Sequence, residues 1–167
     1  MIPIRVKSSA GSLSCRPVFL GIYFFKSATR RIKSHRAESA AEMIVVFEGI
    51  YTAFAKRRDT SFTVQAKSGD VVFWPEEGAR VEENDPSRPM QCLAIKMRWR
   101  GAPALRACIH DSTGLIRRLA MQLVTVKDSP IPLPPSISNA LLAAMVAEYA
   151  RLSIMPDHPL VARVAQF

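Results

Sequence analysis

The sequence predicts a mainly β domain that ends in helices, and three observations carry that expectation. From residue 17 to about residue 100 the chain is a series of short runs rich in Val, Ile, Phe, Tyr and Trp, separated by turn residues; this is the texture of antiparallel strands in a sandwich or barrel. Gln91–Trp99 alternates, with Leu93, Ile95, Met97 and Trp99 apolar and Lys96 and Arg98 between them, a period of two that describes a strand. After Gly101 the pattern changes to apolar residues three and four apart, the spacing of a helix face.

The strands follow from the runs Val18–Phe25, Met43–Phe47, Ile50–Ala55, Phe62–Gln65, Val71–Trp74 and Gln91–Trp99. Lys56-Arg57-Arg58-Asp59 reads as a hairpin tip. Ser68-Gly69-Asp70 and Pro75-Glu76-Glu77-Gly78 bracket Val71–Trp74 as turns, since Gly and Pro punctuate strands. A first helix starts at a cap on Asp111 or Ser112 and carries the stripe Leu115, Leu119, Leu123 and Val126, with Ile116 beside it. Pro130, Pro132, Pro134 and Pro135 then make an extended connector, because proline fixes φ and cannot continue a helix. Ser136 caps a second helix to about Leu152, which Pro156 follows. Its apolar residues fall on two sides, Ile137, Leu141, Ala144 and Met145 against Leu142, Val146 and Tyr149. That pattern predicts one stripe for the domain and one for a partner helix, so Leu142, Val146 and Tyr149, with Leu119, are the expected contacts of a homodimer. Asp157–Phe167 reads as the start of a further helix, with Asp157 as cap and Pro159 in the first turn.

Bulk properties bound the function. With 49% hydrophobic residues in 167 the chain can bury a core, which excludes global disorder. The longest apolar run near the N-terminus, Val18 to Phe25, is too short to span a bilayer, and no membrane association is expected. Cys15, Cys92 and Cys108 are odd in number and form no CxxC pair, which favours a reducing, cytoplasmic setting. Residues 1–67 hold 12 Lys and Arg against 4 Asp and Glu, with clusters at Arg30, Arg31, Lys33, Arg36 and at Lys56, Arg57, Arg58. Such a face attracts nucleic acid or an acidic small molecule, or is a solvated surface. No Ser/His/Asp or Cys/His grouping and no glycine-rich phosphate loop is present.

Glu42-Met43-Ile44-Val45-Val46-Phe47-Glu48-Gly49 resembles the first motif of the cupins, in which a Glu precedes a Gly by seven positions. Gly69-Asp70-Val71-Val72-Phe73-Trp74-Pro75-Glu76-Glu77-Gly78-Ala79-Arg80-Val81 resembles the second. The resemblance implies a cupin-like double-stranded β-helix, a jelly-roll barrel, over residues 1–105. Metal-binding cupins carry HxH at the start of the first motif, where this chain has His35-Arg36-Ala37, and a His near the end of the second, where it has Arg80 or Val81. His35 and Glu42 alone fall short of the roughly three protein ligands a catalytic metal needs, so no metal, no other cofactor and no enzyme activity is expected.

A barrel without those ligands, followed by two helices and Asp157-His158-Pro159-Leu160-Val161-Ala162-Arg163-Val164-Ala165-Gln166-Phe167, resembles the N-terminal half of AraC-type transcription regulators. The Gly69–Pro75 segment, the Asp85-Pro86 turn, the Asn139–Leu152 helix and the tail carry this resemblance over about residues 30–167. It implies an effector-binding barrel, a helical dimerisation segment over 106–155, and in 156–167 a linker and the start of a helix-turn-helix domain that would make the DNA contacts. The effector-binding candidates are His35, Arg36, Glu42, Tyr51, Trp74, Arg80 and Trp99. Tyr and Trp offer flat area with a polar edge, and the arginines and histidine suit a carboxylate, so the effector is expected to be polar or acidic on one side. Glu42, beside five apolar residues, needs a partner if it faces inward, and His35, Arg36 and Arg98 are candidates. Val45, Phe47, Phe73, Leu93 and Ile95 are the expected apolar walls of the interior. Leu93 and Ile95 stand on the strand where the arabinose-binding member has polar sugar contacts, so arabinose is not expected. His110 and His158 read as surface or capping residues, and Trp74 and Trp99 read equally as core. A side-chain-filled barrel, a stand-alone non-catalytic cupin and a metal or acid/base cupin enzyme are the alternatives.

Overall fold

The computed structural model describes residues 16–27, 32–35, 40–57, 60–75, 79–99 and 103–154. Among these residues nine strands precede two helices: β1 (Val18–Ser27), β2 (Ile32–His35), β3 (Ala41–Glu48), β4 (Ile50–Arg57), β5 (Thr60–Lys67), β6 (Asp70–Trp74), β7 (Ala79–Asn84), β8 (Met90–Arg98), β9 (Cys108–His110), α1 (Leu115–Lys127) and α2 (Pro135–Ile154). One sheet has the order β1-β8-β3-β6-β9 and the other β2-β7-β4-β5, and every pairing is antiparallel. Strands 1, 8, 3, 6 facing strands 2, 7, 4, 5 is the double-stranded β-helix of a jelly roll, the architecture of cupins. The fold is therefore mainly β, cupin-like, with two C-terminal helices. No helix among the described residues is long and apolar enough to cross a membrane.

Each run read from the sequence lies in a strand, except that Trp99 falls just beyond the end of β8. The strands that escape the hydrophobic pattern are β2, β7 and β9. Of these, β7 is Ala-Arg-Val-Glu-Glu-Asn, too polar to stand out, and β9 belongs to the first sheet although Cys108–His110 lies in the stretch expected to be helical. Gly49 turns β3 into β4 at φ 73°. A Cβ there would sit 2.2 Å from the Pro89 carbonyl oxygen, so the position admits only glycine.

At the centre of the first sheet, β3 and β6 are buried on both faces. Towards the second sheet the first presents Ile44, Val46, Val72, Trp74, Met90 and Cys92, which meet Tyr51, Ala53, Val64 and Ala66 inside the barrel. On its other face Met43, Val45, Val71, Phe73, Leu93, Ile95 and Met97 meet Ile116, Ala120 and Leu123 of α1 and Leu142, Met145, Val146 and Tyr149 of α2. This corrects the expected interior: Val45, Phe73, Leu93 and Ile95 line the helix side, and Phe47 packs against the same helix-side core. A strand covered on both faces is apolar at every position, so its sequence does not say which parity points into the barrel.

The helices are anchored at their ends. Arg117 N–H donates to Asp111 Oδ2 (2.9 Å) and Leu115 N–H to Thr113 Oγ1 (3.2 Å) at the start of α1. Thr113 Oγ1 donates to Glu148 Oε1 (3.1 Å) on α2, and Glu148 holds Arg151 through two 2.7 Å bonds. The outer edge of β1 is capped by both helices: Phe19 N–H donates to Asn139 Oδ1 (2.8 Å) and Lys127 Nζ to the Ile22 carbonyl (3.0 Å).

The helical residues expected at a dimer interface are used within the chain. Leu142 and Tyr149 are 0% exposed, Val146 is 6% exposed, and Leu119 is half-buried against the same core. The reason is that Leu142, Met145, Val146, Tyr149 and Leu152 share one helix face, which covers the sheet. Leu142→Ala therefore removes fully buried methyl groups and is expected to destabilise the fold by about 2–5 kcal/mol. Urea unfolding followed by circular dichroism measures this, and a loss below about 1 kcal/mol would contradict the packing described.

Candidate functional site

The polar interior of the barrel is built from alternation on four strands. Glu42 on β3 and Trp74 on β6 are cross-strand neighbours, and Arg80 and Glu82 lie two apart on β7, so each pair shares a face. Tyr51 is the second residue of β4, which pairs with β7 in the second sheet. The Trp74 indole Nε1–H donates to Tyr51 Oη (3.0 Å), and Tyr51 Oη–H donates to Glu82 Oε1 (2.7 Å). Arg80 Nε–H donates to the same Glu82 oxygen (2.9 Å), and Arg80 Nη2 binds Glu42 Oε2. The Arg80 guanidinium also lies 5.1 Å from the centre of the Trp74 ring, and Phe62 stacks on Trp74 with centroids 6.2 Å apart.

Four of the seven effector-binding candidates thus converge: Glu42, Tyr51, Trp74 and Arg80. Trp99 does not join them. It lies in the helix-side core with its ring edge-on to Phe73, centroids 5.8 Å apart. The backbone of His35 pairs with that of Arg80 across β2 and β7. Arg36 lies outside the described residues, as do the Arg30–Arg31 pair and the 155–167 tail. The partner of Glu42 is Arg80, while Arg98 is exposed. Sequence reasoning missed Glu82 and Phe62. The signal for Glu82 was the period of two from Arg80 within a strand too polar to be recognised as one.

Arg80 was expected to offer its guanidinium to an acidic ligand, but its Nε and Nη2 are engaged by the chain's own carboxylates. Burial pulls its pKa down, and the charges of Glu82, Tyr51 and Glu42 with the Glu82 hydrogen bond more than offset this, leaving it above the ordinary value. Burial, reinforced by the negative charge of Glu82, pushes the Tyr51 phenol well above its usual range. Among the described residues no three His, Cys, Asp or Glu side chains are grouped as a metal would require. Away from the barrel interior, exposed His110 contacts Asp70 Oδ1 through Nδ1 (2.9 Å), and Asp70 Oδ2 accepts the Lys67 N–H (2.9 Å). This pair closes the Ser68-Gly69 turn.

Cys92 and Cys108 lie in the barrel interior, and burial pushes both thiols up to about 12. With Tyr51 and Tyr149, four acids hold their protons more tightly folded than unfolded. The unfolded chain releases these protons from about pH 8.5 for thiols and about pH 10 for phenols. Their contribution to stability is therefore complete below that range and is lost as pH rises through it. The urea midpoint is expected to fall steadily from about pH 8.5 upward, and an unchanged midpoint at about pH 10.5 would contradict the burial of these groups.

No known protein-family profile matches the chain, and no curated protein sequence does. Solved structures that resemble it include the CENP-C cupin domain of Drosophila melanogaster, 9% identical over 45% of this chain and 55% of that one, with a TM-score of 0.41. Others are a cupin protein from Bacteroides fragilis (13% identity, 51% and 69% coverage, TM-score 0.38) and a putative ethanolamine utilization protein Q from Salmonella typhimurium (22%, 47% and 58%, 0.37). The chain spans little more than half the length of the CENP-C domain, and likeness at this level concerns the fold alone.

Proposed function

We propose that this chain is the effector-binding and dimerisation part of a transcription regulator of the AraC type, without catalytic activity, with the barrel interior as the receptor for a small organic molecule. The observation that carries the reading is the Glu42–Arg80–Glu82–Tyr51–Trp74 network. Removing two carboxylates and a guanidinium from water costs several kcal/mol per ion, and apolar residues of the same size often do as well for stability. Ionisable groups gathered inside a small barrel, with Arg80 and Tyr51 raised above their ordinary pKa values, mark a candidate recognition site. In this reading DNA is contacted by a separate helix-turn-helix domain of the same regulator.

A second reading, a stand-alone cupin scaffold, is favoured by the closure of the network. Among the described residues no buried side-chain nitrogen or oxygen lacks a hydrogen-bond partner. The two readings part in a ligand screen. In the receptor reading, a thermal-shift survey of small polar compounds yields binders whose affinity falls at least about tenfold in Trp74→Phe, which keeps an aromatic ring and removes the indole N–H. A survey with no binder, or binders indifferent to Trp74→Phe, would leave the scaffold.

In this reading the dimer forms through the outer face of α2. With Leu142, Val146 and Tyr149 turned inward, that face carries Ile137 and the exposed alanines Ala140, Ala143, Ala144 and Ala147, and Arg151, held by Glu148, is its one exposed charge. A smooth apolar helix face of this length suits close packing against a second copy. Ala144→Glu is expected to yield a monomer in analytical ultracentrifugation with the thermal stability of the fold retained. A wild-type chain that sediments as a monomer at high micromolar concentration would refute this placement.

A further inference from the structure

The outer edge of β1 is capped over its first half and open over its second. β1 stands at the end of its sheet and pairs with β8 alone. In an antiparallel strand the N–H and C=O of one residue point the same way, and those of the next residue point the other way. The Phe19 N–H and the Ile22 carbonyl are taken by Asn139 and Lys127 of the helices, so both point away from β8. From Gly21 onward the register is regular, and the same alternation turns the N–H and C=O of Phe24 and Lys26 outward. Among the described residues no hydrogen bond reaches them there.

The side chains along this edge are apolar and its charges are positive. Val18, Leu20, Tyr23 and Phe24 are exposed, Tyr23 at 54% and Phe24 at 60%. Neighbours in a strand point to opposite faces, so these two rings flank the open edge from both sides. The long edge of the second sheet, β5, is different: Ser61, Thr63, Gln65 and Lys67 are its exposed polar residues, and its exposed Phe62 is stacked on Trp74. Arg16 precedes β1, Lys26 lies near its end, Arg98 stands opposite Val18, and Lys127 reaches Ile22. Among the described residues none of these four is paired with a carboxylate. Asp128 follows Lys127, and Glu48, across β8 from Lys26, is held by Gln91 Nε2, so positive charge remains in excess.

We propose that the open half of β1 takes an extended acidic segment of a partner protein, which joins the sheet as a further strand. Backbone donors and acceptors that alternate along an edge are matched by another polypeptide chain, a pairing that lipid headgroups and small ions do not make. Apolar side chains of the incoming strand pack beside Tyr23 and Phe24, and its carboxylates meet the field of Lys26 and Lys127. A second copy of this chain fits less well, because its own β1 brings Arg16 and Lys26 to an edge that already carries them. The inference stands apart from whatever the barrel interior receives.

The test is fluorescence anisotropy of the full chain with three labelled peptides of about eight residues, a common strand length, at near-physiological salt. One alternates valine with glutamate, one alternates valine with lysine, and the third is the glutamate peptide N-methylated throughout, which keeps its charge and removes its backbone donors. The glutamate peptide is expected to bind saturably and at least about tenfold more tightly than either control. Lys26→Glu is expected to weaken the glutamate peptide and strengthen the lysine peptide, a reversal that loss of folding does not produce. Phe24→Pro removes an outward N–H on an edge strand, where proline is tolerated, and is expected to weaken the glutamate peptide. Equal binding of the lysine peptide overturns the acidic partner, and equal binding of the N-methylated peptide overturns strand addition. No saturation by the glutamate peptide at about 1 mM overturns the proposal as a whole. A wild-type dimer that Phe24→Pro dissociates gives the edge to a second copy and overturns it as well. The ranking on the wild-type chain decides the matter even where Phe24→Pro folds poorly.

Discussion

Burial of the central strands β3 and β6 on both faces is the constraint from which the remaining architecture follows. A free sheet face needs cover, and here the second sheet covers one side and the two helices cover the other. Six consecutive residues of β3, Ala41 to Val46, are buried as a result. The helices are consequently part of the core and not an appendage to the barrel. Phe73 shows the dependence: one residue from Trp74 in the interior, it faces the other way and packs on Tyr149 of α2, with ring centroids 5.7 Å apart. Tyr149 in turn donates from its hydroxyl to the Arg106 carbonyl (2.8 Å) and so fixes the stretch that leads into β9.

Against that apolar frame the polar cluster stands out by its cost and by its order. In a low-dielectric interior the hydrogen bonds of Glu42, Arg80, Glu82, Tyr51 and Trp74 strengthen one another, and loss of one member strands the others. The Tyr51 hydroxyl is the hinge of the cluster, accepting from the indole and donating to Glu82. Its neighbours therefore fix the direction of each proton along the chain of bonds.

Much of this was legible in the sequence. The runs from Val18 to Trp99 gave the strands, and the prolines between 130 and 135 separated the helices. Glu42 stood out as a carboxylate in an apolar strand that required a cation. What stayed hidden has one physical origin. Alternation marks the inward side only when the other side is polar, and the central strands of this sheet lack a polar side. Val45, Phe73, Leu93 and Ile95 could not be assigned to a face, and Trp99 could not be separated from Trp74. The same ambiguity affected α2, whose apolar residues extend around much of the helix because alanine occupies its outward positions; Leu142, Val146 and Tyr149 are large and apolar because they serve the core. Polar β7 carries no hydrophobic run to mark it as a strand, so the period of two that sets Arg80 and Glu82 on one face stayed hidden with it.

The capping of β1 by Asn139 and Lys127 bears on the order in which the chain can be completed. The Phe19–Asn139 bond joins residues 120 positions apart, so during synthesis the first strand would emerge long before the helix that shields its edge. An uncovered strand edge is a template for pairing with other chains, and contacts of such sequence separation form slowly because loop closure must precede them. The nascent barrel thus passes through a period in which Val18, Leu20, Tyr23 and Phe24, exposed even in the finished fold, lie on an open edge. Sealing that edge falls to α1 and α2, made about a hundred residues after it, which ties the solubility of the newborn chain to their arrival.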